Sequence, residues 1–239
     1  MRARFNFDPA LSPFLEITNR GHSFDYECAR AATLKNAIEA LGVPHTEVGA
    51  LRVNGEPATL QRIVREGDYV EVETTKSGSD PDLRPDLRFV ADAHLGGLAR
   101  FLRMLGFDTL HRNAFSDEEI RRLAETEGRI VLTRDRELLK CREVARGAYV
   151  RALKPEAQLR EVAGRYGLAA HARPFSLCLG CNLPLQPAER GAVAARVPPA
   201  VLELHEHFVR CPGCDGVFWP GSHYRRMLSA LQSSFDVPS

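Results

Sequence analysis

Two cysteine pairs near the C-terminus restrict what this chain can fold into more than any other feature. SLCLGCN supplies Cys178 and Cys181, VRCPGCD supplies Cys211 and Cys214, and 29 residues separate the pairs. Each C-x2-C turns the backbone tightly enough to bring two thiolates to one side, and two such turns close a tetrahedral four-sulfur site. Zinc is the expected ion, with iron in a four-thiolate site as the alternative that CPGC also suits. His205 and His207 fall in the gap, but four cysteines already satisfy the ion, which makes its role structural. The segment from about Arg173 onward is rich in Pro, Gly and Cys. With little apolar core of its own, it should draw part of its folding energy from the metal. A disulfide framework is disfavoured, because Cys28 and Cys141 stand alone and nothing suggests export. MRARFNFDPA lacks the apolar stretch of a signal peptide, and no run of 18 apolar residues occurs. A cytoplasmic location and no membrane partner are the expectation.

Residues 74 to 88, TTKSGSDPDLRPDLR, carry almost nothing apolar and read as a linker. The expected organisation is a small domain over 1–75, a linker over 76–87, a larger domain over 88–172, and the cysteine-bearing segment with a C-terminal helix over 173–239. In the first domain, ARFNF and HSFDYEC alternate like strands, TLKNAIEAL has helical spacing, and ALRVNG and DYVEVE are strands again. That order predicts a small α+β domain.

Beyond the linker, short apolar runs alternate with helical stretches. LRFVAD, DTLH, RIVLT and GAYVRAL read as strands, and HLGGLARFLRMLG, SDEEIRRLAETEG, RDRELLKCREVA and KPEAQLREVAGRYG as helices. This alternation predicts an α/β domain with a mostly parallel sheet covered on both faces, whose ligands bind outside the carboxyl ends of the strands. Ser116 and Glu119 have capping-box spacing, and Gly128 closes that helix. Arg100 and Arg103 fall on the polar side of the first helix, where solvent is the default.

Several acids converge on one edge of such a sheet. Asp92 ends the strand RFVA, Asp135 follows RIVLT, and Asp117 and Glu118 open the helix after the second strand. Grouped carboxylates repel one another unless a cation neutralises them, and an all-oxygen site suits Mg²⁺ or Mn²⁺. Such ions support phosphodiester hydrolysis. Each acid also has a local explanation: Asp135 as the cap of the next helix, Asp117 and Glu118 as complements to a helix dipole, Glu119 as the capping-box acid. Asp92 has no such obvious partner. Residues 129–173 hold eleven Lys or Arg against five Asp or Glu, a local basic excess compatible with a phosphate-bearing partner.

These blocks resemble a known family. DAHLGGLARFLRMLGFDT, SDEEI and RIVLTRDREL, followed by the paired cysteines and WPGSHYRRM, are similar to the PIN-like ribonucleases of the Mut-seven C-terminal RNase domain family over roughly residues 87–230. The resemblance implies a PIN-like three-layer α/β/α sandwich and divalent-metal-dependent cleavage of RNA, with tRNA or rRNA as candidate substrates. Carried over, Asp92 is the first-strand acid, Asp117 the helix-start acid and Asp135 the acid of the T-x-D strand end, together holding Mg²⁺ or Mn²⁺. Many PIN domains add a carboxylate near the next strand. GAYVRAL has none, so Glu118 or Glu137 completes the site, or the chain is a non-catalytic RNA-binding adaptor with a degenerate site. Arg134 and Arg136 are candidate RNA contacts, with pairing to Asp135 or Glu137 as the alternative; Arg225 and Arg226, with His223 and Tyr224, are candidates beyond the cysteines.

At the other end, LRVNGEPATLQRIVREGDYVEVE resembles the later half of β-grasp, ubiquitin-like sulfur carriers. No terminal diglycine follows, so sulfur transfer is disfavoured and docking is the expected role: to RNA, to an unidentified protein partner, or to the nuclease domain itself.

Overall fold

The computed structural model describes residues 1–75, 87–222, 224 and 225. The expected linker over 76–87 lies outside them except for Leu87, which is buried in the core of the unit that follows.

The N-terminal unit is built from β1 (Arg2–Phe7), β2 (Phe24–Glu27), α1 (Leu34–Ala40), β3 (Val48–Val53), β4 (Glu56–Ala58) and β5 (Tyr69–Thr74). The sheet order is β2-β1-β5-β3-β4. β1 and β5 run parallel and the other pairs antiparallel, which is a β-grasp arrangement. Ala3, Phe5 and Phe7 alternate inward and pack on Leu34, Ala37 and Ile38 of α1, whose first turn is capped by the Thr33 side chain. The short β4 was absent from the sequence expectation. Asn54 and Gly55 reverse the chain with φ of 54° and 85°, and such a turn folds even a Pro-containing tripeptide back along β3.

The second unit contains β6 (Phe89–Ala91), α2 (Gly96–Met104), β7 (Thr109–His111), α3 (Asp117–Glu127), β8 (Ile130–Thr133), α4 (Arg136–Lys140), β9 (Gly147–Tyr149) and α5 (Pro155–Tyr166). Its sheet order is β7-β6-β8-β9, all parallel. Strand residues alternate between two cores. Phe89, Ala91, Ile130 and Leu132 pack with Leu98 and Leu102 of α2 and Leu159 and Val162 of α5. Val90 and Val131 pack with Ile120 and Leu123 of α3 and Leu138 and Leu139 of α4. The result is the expected three-layer α/β/α sandwich with a parallel sheet.

Two local expectations need correction. α4 ends at Lys140 rather than running through the whole of RDRELLKCREVA, because Cys141 is extended and the chain turns to bury Val144 before β9. Arg103 is not solvated but 5% exposed. Its Nε donates to the Thr109 carbonyl at 2.8 Å, and its Nη1 to the carbonyls of Leu179 and Gly180 at 2.9 Å each.

The cysteine-bearing unit holds β10 (Gln186–Ala188), α6 (Arg190–Val193), α7 (Pro199–Leu204), β11 (Phe208–Arg210) and β12 (Val217–Phe218). Its three strands form an antiparallel sheet in the order β10-β11-β12, and among the described residues its buried apolar core is Val193, Val197 and Phe208, with Val201, Leu202, Val217 and Trp219 packed against it. Among the described residues no helix is long and apolar enough to cross a membrane.

One ion pair on a buried guanidinium stabilises the second unit. Arg129, 6% exposed, forks onto both Asp108 carboxylate oxygens at 2.9 Å and also reaches the Phe89 carbonyl at 3.1 Å. Burial opposes ionisation of Asp108, but the hydrogen bonds from Arg129 and Asn182 outweigh it and hold the carboxyl below its ordinary range. A carboxyl lowered in this way contributes its stability above the ordinary carboxylate range and loses it as the pH falls through its own, lower value. Asp108→Ala leaves the buried guanidinium without its main counter-charge, so denaturant unfolding at neutral pH is expected to show a loss of about 3 kcal/mol. The difference from the wild type should narrow in strong acid.

Candidate active site at the carboxyl edge of the parallel sheet

In the order β7-β6-β8-β9, the chain leaves β6 toward one side and returns to the other, so the topological switch point lies between the carboxyl ends of β6 and β8. Open α/β sheets bind ligands there. Asp92 follows β6, and Asp135 stands two residues beyond β8. One hydroxyl ties them together: Thr133 Oγ1 donates to Asp92 Oδ2 at 2.8 Å and accepts from the Asp135 backbone N–H at 2.9 Å. Thr133 itself is fully buried. Its bridging role was missed in the sequence: the T-x-D spacing carries the Asp135 half alone, and the Asp92 half depends on strand pairing.

Both acids also cap helices. The Asp92 side chain accepts from the Ala93 backbone N–H. Asp135 Oδ1 accepts from the N–H groups of Glu137 at 2.7 Å and Leu138 at 3.5 Å. The local explanation of Asp135 therefore holds, but a cap uses only part of a carboxylate's accepting capacity.

Asp117 and Glu118 occupy the exposed first turn of α3, while Ser116 and Glu119 form the capping box. The side chains of Asp117 and Glu118 make no hydrogen bond or ion pair with the described residues. Burial pushes the Cys141 thiol pKa up; the nearby Arg121 opposes this, and the charges of Glu143, Asp117 and Asp135 add to it. Asp117 and Asp135 thus both lie close enough to act on one thiol. The acids do not close into a ready-made cage. Among the described residues, the four cysteine sulfurs are the only group of three or more Cys, His, Asp or Glu side chains with donor atoms all within 4.8 Å of one another.

His111, at the end of β7, places Nε2 3.1 Å from the Ala93 carbonyl beside Asp92. The imidazole fits because residue 96 is glycine; a Cβ there would come within 2.9 Å of the ring. His94 is exposed. Arg134 and Arg136 pair with neither Asp135 nor Glu137. Arg134 donates to the Ala152 carbonyl at 2.9 Å and Arg136 to the Phe14 carbonyl at 3.4 Å.

In the ribbon, Cys178 and Cys214 place their sulfurs 3.6 Å apart, with backbone N–H groups of Cys181 and Gly213 directed at Cys178 and Cys211, each at 3.4 Å. Tetrahedral zinc with bonds of about 2.3 Å requires sulfurs roughly 3.8 Å apart, so the donor set fits. His205 and His207 are outside this group. Hydrogen bonding within the cluster, chiefly to Cys214, pushes the Cys181 thiol up to about 12. Burial opposes ionisation of Cys211, but backbone N–H groups of Cys214 and Gly213 bring it down to about 7. Arg103 grips the two residues between Cys178 and Cys181, and Asn182 Oδ1 accepts from the Thr109 N–H at 3.1 Å, joining this knuckle to α2 and β7.

Tyr224 is not presented as a free contact. Its ring packs 4.5 Å from that of Phe175 at a cavity of about 250 Å³ lined also by Met104, Leu179, Phe218 and Trp219. Arg225 is exposed, and His223 and Arg226 lie outside the described residues.

Comparison with known families agrees with this architecture. Residues 87–231 match the Mut7-C RNAse domain, and residues 1–79 match the Mut7-C ubiquitin domain. No curated protein and no solved structure matches the chain. An RNase domain supports a nuclease-like function with RNA as substrate, and the four-cysteine cluster is compatible with structural zinc. With more than half its length in the first match and its β-grasp unit in the second, the chain belongs to the Mut7-C RNAse domain family.

Proposed function

We propose that the chain is a divalent-metal-dependent ribonuclease that hydrolyses RNA phosphodiester bonds at the carboxyl edge of the parallel sheet. The observation that carries this reading is the Thr133 hydroxyl, which holds Asp92 and Asp135 together at the switch point. Asp92, Asp117 and Asp135 would hold Mg²⁺ or Mn²⁺, with Glu118 as a further carboxylate. A bound ion would lower the pKa of a water and neutralise charge on the phosphoryl oxygens. The chain's own contribution is orientation: Thr133 fixes one oxygen of Asp92, leaving the lone pairs not used in capping available at the edge. Arg225 is exposed for the RNA backbone, and Arg226 extends the same basic run. Arg134 and Arg136 each keep further donors beyond the carbonyl that they hold. Zinc is assigned to Cys178, Cys181, Cys211 and Cys214.

A second reading, a metal-independent RNA-binding adaptor, is favoured by the lack of an acid on β9 and by acids that do not gather within ligand range. Purified protein incubated with a panel of RNAs, with and without Mn²⁺ or Mg²⁺, separates the two. Cleavage only with metal is expected. Binding without turnover under every condition would establish the adaptor instead, and a parallel single-stranded DNA tests sugar selectivity.

A further inference from the structure

β9 is an edge strand of the nuclease sheet, and its open side is closed by the β-grasp unit. Glu47, 1% exposed, accepts from the Tyr149 backbone N–H at 2.9 Å, from Arg165 at 2.8 Å and from Arg151 at 3.2 Å. Arg165 donates in turn to the Gly147 carbonyl on β9 at 3.0 Å and to the Thr46 carbonyl at 2.7 Å. His45 lies 2.9 Å from the Val144 carbonyl. Phe14 meets Tyr149 edge-on at 5.2 Å, and the Arg151 guanidinium stacks over the Phe14 ring at 5.1 Å. A carboxylate buried this deeply is costly unless its contacts are made, so parting the two units here would strand an uncompensated charge.

These contacts lead back to the acid edge. Arg151 stands two residues beyond β9, and the next residue, Ala152, offers the carbonyl that holds Arg134. Arg136, on the far side of Asp135, is held by the Phe14 carbonyl. The peptide Arg134–Asp135–Arg136 is therefore fastened at both ends to the domain junction, once through the β9 loop and once directly to the N-terminal unit.

We propose that the ubiquitin-like unit is a built-in part of the catalytic edge, with Glu47 and Arg151 as positioning residues that fix Asp135 through Arg134 and Arg136. The catalytic half of this statement rests on the ribonuclease reading; the mechanical half does not. The full-length, zinc-loaded chain tests both. Arg151→Gln keeps the buried Glu47–Arg165 pair, since Arg151 is the more exposed partner, and Glu47→Gln gives the direct comparison. Arg151→Gln is expected to lower kcat on RNA at saturating Mn²⁺ roughly tenfold while KM stays within about twofold, as small displacements of a catalytic group do. Hydrogen exchange at the Glu137 and Leu138 amides, which bond to Asp135, should speed up by about the same factor. Arg151→Lys should restore most of both. A folded Arg151→Gln with unchanged exchange overturns the proposal whether or not the chain cuts RNA. If the wild type fails to cut RNA, the ribonuclease reading falls, and faster exchange in the variant still supports the mechanical link.

Discussion

Asp92→Asn is expected to slow metal-dependent RNA cleavage by about 10³-fold, the equivalent of the several kcal/mol of transition-state stabilisation that a metal ligand's loss removes. Asparagine preserves the size and the accepting oxygen that caps Ala93, so the fold should survive. Asp135→Asn should behave alike, because Asn serves almost as well as Asp at a helix cap. Rate and stability therefore separate: cleavage collapses while the melting temperature moves little. Equal cleavage by the wild type and both variants, at Mn²⁺ concentrations spanning saturation, would sink the metal-site assignment. A variant that melts early would point to the capping role alone.

Removal of the ribbon metal is expected to have the largest effect on structure. Structural four-ligand zinc contributes about 10–16 kcal/mol of apparent binding energy in small domains, against an apolar core here of three buried residues among those described. Cys178→Ser should abolish stoichiometric zinc and unfold β10 to β12. The chain has one tryptophan, Trp219, packed on Phe208 in that sheet, so its fluorescence reports the ribbon directly. The damage should also spread. Once the knuckle moves, Arg103 loses the Leu179 and Gly180 carbonyls and is left buried and under-satisfied, a cost of about 1–3 kcal/mol that lowers the melting temperature of the nuclease unit by several degrees. A Cys178→Ser chain with unchanged tryptophan emission and unchanged melting would refute a folding role for the metal.

Local grammar made much of this architecture legible. The Ser116–Glu119 capping box and the left-handed Gly128 bounded α3 because both signals act within a few residues, and the short apolar runs located every strand of the parallel sheet. β4 escaped because its pairing depends on the Asn54–Gly55 reversal rather than on its own residues. Arg103 was misjudged for a related reason: helical periodicity places a residue on a face but does not say what later chain covers that face. The acids were legible as strand-end and helix-start positions, whereas Thr133 as their bridge required the register of β6 against β8. Glu47 was unreadable as a junction residue, since its partners Arg151 and Arg165 lie about a hundred residues away and in another unit.

The parallel sheet has two outer strands, and on each of them side chains take up an outward N–H and an outward carbonyl. On β7, the Thr109 N–H goes to Asn182 and its carbonyl to Arg103; on β9, the Tyr149 N–H goes to Glu47 and the Gly147 carbonyl to Arg165. Side chains thus do at both margins what further strands do in wider sheets, and two of the four belong to the flanking units. Trimming the chain to its central portion would expose a ready template for strand addition on each margin. Such a fragment should self-associate, and its behaviour would say little about the nuclease in the intact chain.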